Sequence, residues 1–456
     1  MKHDNDNQLS RRDFLRRMGI GMGSAVALTA LEPFKALADN SAKTDDDDKT
    51  PLMSYRTQNG SGEKISLLGF GMMRLPKEQD EVNRLVDHAL AHGVNYFDTS
   101  PMYGGGRNEA VTGEALSRHP RESYYVATKM SNYNEAIWPL EESKKMYYNS
   151  FKQLRVDYID YYLLHGIGQG GMKNLHGRFL DNGLLDFLVE ERKAGRIRHL
   201  GFSYHGDVEA FDWLVDHQEQ YHWDFAQIQM NFLDWRHASM GGGRRRDADA
   251  EYLYTKLEKA GIQAVIMEPF RGGRLNNMPE EWQKQLSEAR PGASVASWAF
   301  RWVGSYPNVL TVLSGMNRME HLEDNLKSYS PLEPCSDAEK TLLAKVADAI
   351  SGIPTIPCTT CAYCMPCPYG VDIPANFSFY NDCVEKKLLP LPDKSAADYD
   401  QRRQQFLDEY MKAVGTEKWA RKCVDCEECL KHCPQQIRIP NQMARLVELI
   451  RPPRRA

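Results

Sequence analysis

The chain has 456 residues, too many for one ordinary domain, and its 42% apolar content suffices for a large core. A formal net charge of -5 leaves no basic excess for holding nucleic acid or an anionic membrane surface. Ten cysteines are few for this length, yet eight fall in two tight groups near the C-terminus, which points to metal ligation before disulfides.

The N-terminus reads as an address. Ser10-Arg11-Arg12-Asp13-Phe14-Leu15-Arg16 precedes an apolar run from Met18 to Leu31, and Ala36-Leu37-Ala38 gives a small-x-small cleavage pattern. The run is short for a membrane span. Residues 1–38 resemble a twin-arginine signal, which implies the twin-arginine export machinery as a partner and a periplasmic or exported location. That route carries folded cargo, which suits a chain that must close around a cofactor first. Residues 39–53, with Asp45-Asp46-Asp47-Asp48-Lys49, read as a solvated linker.

From residue 54 to about 334 the chain alternates apolar runs with amphipathic segments. The predicted strands are Ile65–Arg74, Asn95–Asp98, Tyr124–Lys129, Ile159–His165, His199–Ser203, Ala226–Asn231, Ala264–Pro269 and Leu310–Gly315. Several are near-continuously apolar, as strands covered on both faces are. In the first intervening segment Val82, Leu85, Val86, Ala89 and Leu90 share a helical face, with Asp80 placed as N-cap and Gly93 as stop. Eight such units favour a closed parallel (β/α)8 barrel; an open doubly wound sheet is the alternative.

Reactive residues of such a barrel gather at the C-terminal ends of its strands. There the sequence places Asp98 and Tyr103 after the second strand, Lys129 at the end of the third and His165 at the end of the fourth. A lysine beside a phenol favours the phenolate, an aspartate places the lysine, and a histidine orients a carbonyl oxygen. Each residue alone is as well explained by structure, but four at successive strand ends make an acid–base site.

Asp98-Thr99-Ser100-Pro101-Met102-Tyr103-Gly104, Gly113-Glu114-Ala115-Leu116, Leu163-Leu164-His165, Gly201-Phe202-Ser203, Gln227-Ile228-Gln229-Met230-Asn231 and Leu313-Ser314-Gly315 together resemble the aldo-keto reductases. The resemblance implies a barrel that binds NADP or NAD extended, with Asp98, Tyr103, Lys129 and His165 as its catalytic tetrad. It implies that Ser203 and Gln227 hold the nicotinamide carboxamide, and that Phe270, Arg271, Gly272 and Gly273 follow the pyrophosphate. Gly315, Asn317, Arg318, His321 and Asn325 match the adenosine end, with Arg318 the best match for a grip on the extra phosphate of NADP. Gly71 and Met72 follow the first strand at cofactor-lining positions, Met72 where threonine is common; Tyr204 stands where many members have asparagine. The glycine cluster Gly166–Gly171 reads as a flexible substrate loop, and Gly241–Arg246 as a solvated one.

Residues 335–456, opening with a charged helix predicted over Ser336–Ile350, read as a C-terminal α-helical ferredoxin-like module. Cys358, Cys361, Cys364 and Cys367 make the first group, and Cys423, Cys426, Cys429 and Cys433 the second, each followed by proline. The second has bacterial ferredoxin spacing; the first is one residue shorter before its last cysteine. Such spacing favours two [4Fe–4S] clusters over zinc, whose ribbons use separated pairs. Under the ferredoxin rule Cys433 joins the first three cysteines and Cys367 joins the other three. Cys335 and Cys383 lie outside both groups, and Glu385–Lys422 is a helix-prone spacer. A similar tail occurs in a subgroup of aldo-keto-reductase-like proteins.

The expected activity is interconversion of a small-molecule carbonyl and alcohol through bound nicotinamide. The clusters then pass electrons to or from a redox partner protein or a quinone-linked carrier. The alternatives are a simple carbonyl reductase with structural clusters and an electron-transfer protein whose barrel no longer catalyses.

Overall fold

A computed structural model describes residues 52–238, 248–390 and 398–450. The signal-like residues 1–38, nearly all of the linker and the Gly241–Arg246 loop lie outside the described residues. An antiparallel hairpin, β1 (Tyr55–Thr57) and β2 (Lys64–Ser66), precedes the barrel. The barrel strands are β3 (Leu68–Gly71), β4 (Tyr96–Asp98), β5 (Tyr125–Met130), β6 (Ile159–Ile167), β7 (Ile197–Tyr204), β8 (Phe225–Gln229), β9 (Gln263–Met267) and β10 (Val309–Ser314). They close in the order β10-β3-β4-β5-β6-β7-β8-β9, so the sheet is a barrel and not an open sheet.

All eight predicted strands form, because each is an apolar run that burial on both faces requires. All nine residues of β6 are buried. The first run divides at Leu67 into a hairpin strand and a barrel strand, and ends in a 3-10 turn, Met72–Arg74. The barrel interior is a packed layer: Tyr96 meets Tyr161 edge-on at 4.9 Å and Tyr161 meets Phe225 at 5.1 Å.

Helix α1 (Gln79–Ala91) buries Val82, Leu85, Val86 and Ala89. Its N-cap is Glu78 and not Asp80; Asp80 and Glu81 fall in the first turn, where carboxylates face the helix's positive end. The Gly166–Gly171 cluster also differs from expectation. It opens a short helix, Gly171–Leu175, and is packed against β7. A Cβ on Gly168 would lie 2.8 Å from the backbone of His205 and Asp207, so only glycine fits that approach.

Helix α2 (Asp337–Ser351) starts with a capping box between Ser336 and Glu339 and contributes Leu343, Val346 and Ala347 to the barrel core. A second core begins at Ile356 and holds α3 (Ile373–Glu385), α4 (Tyr399–Val414) and α5 (Ile439–Ile450). Two buried asparagines on α3 organise this module. Asn381 exchanges both its hydrogen bonds with the backbone of Ile356, at 2.6 and 2.8 Å. Asn376 accepts from the Ala420 amide at 3.1 Å and donates to the Lys418 carbonyl at 2.9 Å. Each therefore fixes the chain just ahead of one cysteine group.

Candidate active site and cysteine loops

The parallel register sets Asp98 beside Ala127, and Lys129 beside Leu163. The strand ends therefore bring the four predicted acid–base residues to one mouth. Lys129 Nζ donates to Asp98 Oδ1 at 2.5 Å and to the Thr99 carbonyl at 2.8 Å, and lies 5.0 Å from the centre of the Tyr103 ring. Burial pulls the lysine below its ordinary pKa and pushes the aspartic acid above its own, while each partner opposes the other's shift.

Tyr103 is also buried, and burial raises its phenol well above the usual value, with the Asp98 charge adding to the rise. Burial therefore outweighs the lowering expected from a neighbouring lysine; Lys129 gives two of its three N–H groups to Asp98 and Thr99 and keeps its charge 5.0 Å from the ring centre. What acts against this rise is Tyr363, in the first cysteine loop, whose ring lies 6.4 Å from that of Tyr103. His165 is held well below its ordinary pKa by burial, and further by Lys129, His205 and Arg178. It is neutral at neutral pH. Ser131 engages its Nδ1 at 2.6 Å, which leaves Nε2 for an oxygen in the cavity.

One cavity of about 110 Å³ is lined by all four of these residues together with Gly71, Ser203, Gln227, Glu268, Cys361 and Tyr363. Gln227 Oε1 and Glu268 Oε2 are buried there as acceptors with no hydrogen-bond partner. Ser203 Oγ accepts from the Gly166 amide at 2.9 Å. An adjoining groove of about 650 Å³ shares Arg74, Glu268, Leu313 and Gly315 with the cavity. Its wall includes Phe270, Gly272, Gly273, Asn317, His321 and Asn325.

An unsatisfied amide oxygen at one end and a glycine-bounded groove at the other fit an extended dinucleotide. Three predicted cofactor residues stand off this wall. Met72 is buried and its carbonyl accepts from Asn108 at 2.8 Å. Arg271 is drawn to Asp234, 3.4 Å away. Arg318 precedes the helix Met319–Tyr329 and is exposed.

Residues beyond the predicted set complete the site. Ser131 lies two positions after Lys129 on one strand line, a period-two signal readable in the sequence. Arg178 donates to the His165 carbonyl at 2.6 Å and lies over the Tyr133 ring. Arg74 spans barrel and tail, donating to the Thr359 carbonyl at 2.6 Å and to Thr360 Oγ1 at 3.2 Å. A Cβ on Gly272 would lie 2.8 Å from that same Thr359 carbonyl, so the groove loop and the first cysteine loop touch through bare backbone. Gln435 in the second motif bonds Gln229 of β8 at 3.0 Å.

The thiols sort by mutual influence into two sets. The Cys364 thiol is raised by burial and then by Cys433, Cys361, Cys358 and, from the other set, Cys429; burial and Cys361 act likewise on Cys433, raised to about 12. Cys429, raised to about 11, feels Cys423, Cys426 and Cys367 after burial. Apart from the action of Cys429 on Cys364, these influences run within the sets that the ferredoxin rule would group. Mutually raised thiols are a donor set that a cationic iron–sulfur core would relieve by deprotonating them. Cys335 and Cys383 are buried apart from both sets. Among the described residues no three His, Cys, Asp or Glu side chains converge to hold a single metal ion.

Residues 67–348 match the aldo/keto reductase family and residues 357–437 the 4Fe-4S dicluster domain. The chain is 25% identical to L-galactose dehydrogenase of Arabidopsis thaliana over 311 residues, 64% of this chain and 92% of that one. It is 24% identical to the NADH-specific methylglyoxal reductase of Escherichia coli over 294 residues, 57% of this chain and 85% of that one. Among solved structures, an aldo-keto reductase from Bacillus halodurans in its holo form superposes with a TM-score of 0.52 at 24% identity, covering 64% of this chain and 96% of its own. With the closed barrel, these matches show that the chain is an oxidoreductase belonging to the aldo/keto reductase family, extended by a 4Fe-4S dicluster domain.

Proposed function

We propose that the protein interconverts a carbonyl and an alcohol with bound NADP or NAD, and that two [4Fe–4S] clusters exchange electrons with that site. The observation carrying this reading is the shared cavity: Cys361 and Tyr363 of the first cysteine loop line the same space as Asp98, Tyr103, Lys129 and His165. Bound nicotinamide would supply or accept a hydride at carbon; a hydride is two electrons and a proton, so two one-electron clusters would match its electrons while the proton is exchanged with solvent.

Tyr103 gives or takes the proton at the substrate oxygen, and neutral His165 orients that oxygen through Nε2. Lys129, fixed by Asp98, stabilises the phenolate left when the proton has moved. Gln227 and Ser203 receive the carboxamide, Gln227 with its unpaired Oε1 as acceptor. Phe270, Gly272 and Gly273 border the pyrophosphate; Gly315, Asn317, His321 and Asn325 the adenosine end. Cys358, Cys361, Cys364 and Cys433 hold the first cluster; Cys423, Cys426, Cys429 and Cys367 the second. A redox partner protein or quinone-linked carrier completes the circuit outside the cytoplasm, and the Arg11-Arg12 pair supports export of the loaded chain. The names of the relatives make methylglyoxal and L-galactose the first substrates to try.

The test is anaerobic addition of NADPH or NADH to cluster-loaded protein. Bleaching of the visible cluster band is the expected result. A stable band in protein that demonstrably binds the nucleotide would overturn the coupling and leave a reductase with structural clusters.

A further inference from the structure

The first cysteine loop does more than hold ligands. Between Cys361 and Cys364 it carries Tyr363, whose ring lies 6.4 Å from that of Tyr103 and 6.5 Å from that of His165. Arg74 pins the start of the loop from the barrel side through Thr359 and Thr360. Pro434 and Gln435, after the second cysteine group, close another side of the same cavity. The cavity so bounded is about 110 Å³ and opens onto the adjoining groove; Ser203 and Gln227 line it too, so the nicotinamide end of a cofactor would share it.

We propose, on the strength of the function just given, that Tyr363 is the roof of the substrate pocket and a positioning residue for Tyr103. The iron–sulfur module, and not a barrel loop, then sets substrate size. The pocket admits short-chain carbonyl compounds and excludes hexoses. The hydroxyl of Tyr363 engages that of Tyr103 and restricts the rotation of the phenol, and its ring forms one wall of the cavity. The aligned position in the second loop is Glu428, a half-exposed carboxylate paired with Lys431 at 2.5 Å, so a partly buried tyrosine is no requirement of the ligand loop itself.

Tyr363→Phe keeps the wall and removes the hydroxyl; Tyr363→Ala removes both. The holo-protein is assayed with methylglyoxal, and with L-galactose in the oxidative direction. The variants are matched for visible cluster absorbance, which reports folded, loaded loops. For Tyr363→Phe, kcat for methylglyoxal should fall about tenfold at nearly constant KM. For Tyr363→Ala, KM for methylglyoxal should rise about tenfold, while the ratio of kcat/KM for L-galactose to that for methylglyoxal rises by a similar factor. Wild-type constants in both variants would overturn the proposal. So would a rise of kcat/KM for both substrates in Tyr363→Ala, which would make Tyr363 a plug.

If the parent protein turns over neither compound, the function proposed above fails separately, and the roof is judged by binding. Acetate and benzoate are titrated by calorimetry into nucleotide-loaded protein. Wild type should take acetate alone and Tyr363→Ala should take both. Benzoate binding by wild type, or no gain of it in Tyr363→Ala, would overturn the roof.

Discussion

The two cysteine loops share one backbone and differ in what surrounds it. In the first, Thr360 and Ala362 have positive φ; in the second, the aligned Asp425 and Glu427 do. Left-handed residues at these positions turn amide N–H groups toward sulfur: Thr360 donates to Cys358 Sγ at 3.4 Å, and the Asp425 amide to Cys423. The first loop faces inward, with Cys358 buried and Tyr363 against the acid–base residues. The second faces outward, with Cys426 exposed and Val424 55% exposed. One ligand scaffold therefore serves two positions, against the active site and against solvent.

Breaking the chemistry while sparing both loops should give the largest effect. Tyr103→Phe is expected to cut turnover by about 10²–10⁴-fold, the range for a lost acid–base group, with the visible absorbance of the clusters unchanged. Steady-state rates beside absorbance spectra check this. Next comes a direct contrast of the loops. Cys361→Ser should lower carbonyl turnover about tenfold or more, because the loop carrying Tyr363 loses its anchor. Cys426→Ser should leave that turnover near wild type and lose reduction of an external one-electron dye. Equal losses in both assays for both variants would erase the distinction.

Smaller effects probe the docking. Arg74→Ala removes two hydrogen bonds from a charged donor and should cost about 1.5–3 kcal/mol of stability, read as loss of protection of the first loop in hydrogen exchange. A control on both loops comes from the far end of the barrel, which touches neither of them and should leave turnover and cluster absorbance unchanged. His199 lies 2.8 Å from Glu63 and 3.6 Å from Asp224. Burial lowers its pKa, but the hydrogen bonds and charges of Asp224 and Glu63 outweigh burial and raise it to about 9. The stability it contributes is full below the ordinary histidine value and is lost as pH rises through about 9. Thermal melts from about pH 6 to about pH 10 should show this slope, and His199→Gln should flatten it.

The barrel, and the meeting of Asp98, Tyr103, Lys129 and His165 at one mouth, were legible because both rest on local pattern. Runs such as Ile159–Ile167 are apolar enough to demand cover on two faces, and a closed parallel barrel brings Asp98, Lys129 and His165 to one rim whatever the loops do. The groove beside that mouth was legible only in part. The glycines Gly272, Gly273 and Gly315 line it, but Arg271 turns to Asp234 and Arg318 to solvent, choices that depend on neighbours distant in sequence. Tyr363 could not be read at all. Its sequence neighbours are ligands, and nothing in Cys361-Ala362-Tyr363-Cys364 indicates that the loop folds back onto a strand end more than 200 residues earlier.

The two asparagines of α3 carry a mechanical consequence. Asn376 and Asn381 stand five residues apart on one rigid rod, about 7.5 Å along its axis at the standard helical rise. Each grips the approach to a different cysteine loop, so the rod acts as a gauge block between them. A single residue inserted between the two would swing Asn381 by about 100° around the axis and release one loop while the other stayed clamped. The separation of the two metal-binding loops, on which the rate of electron transfer between them would depend, is thus set by helical pitch and not by the spacing of the cysteines.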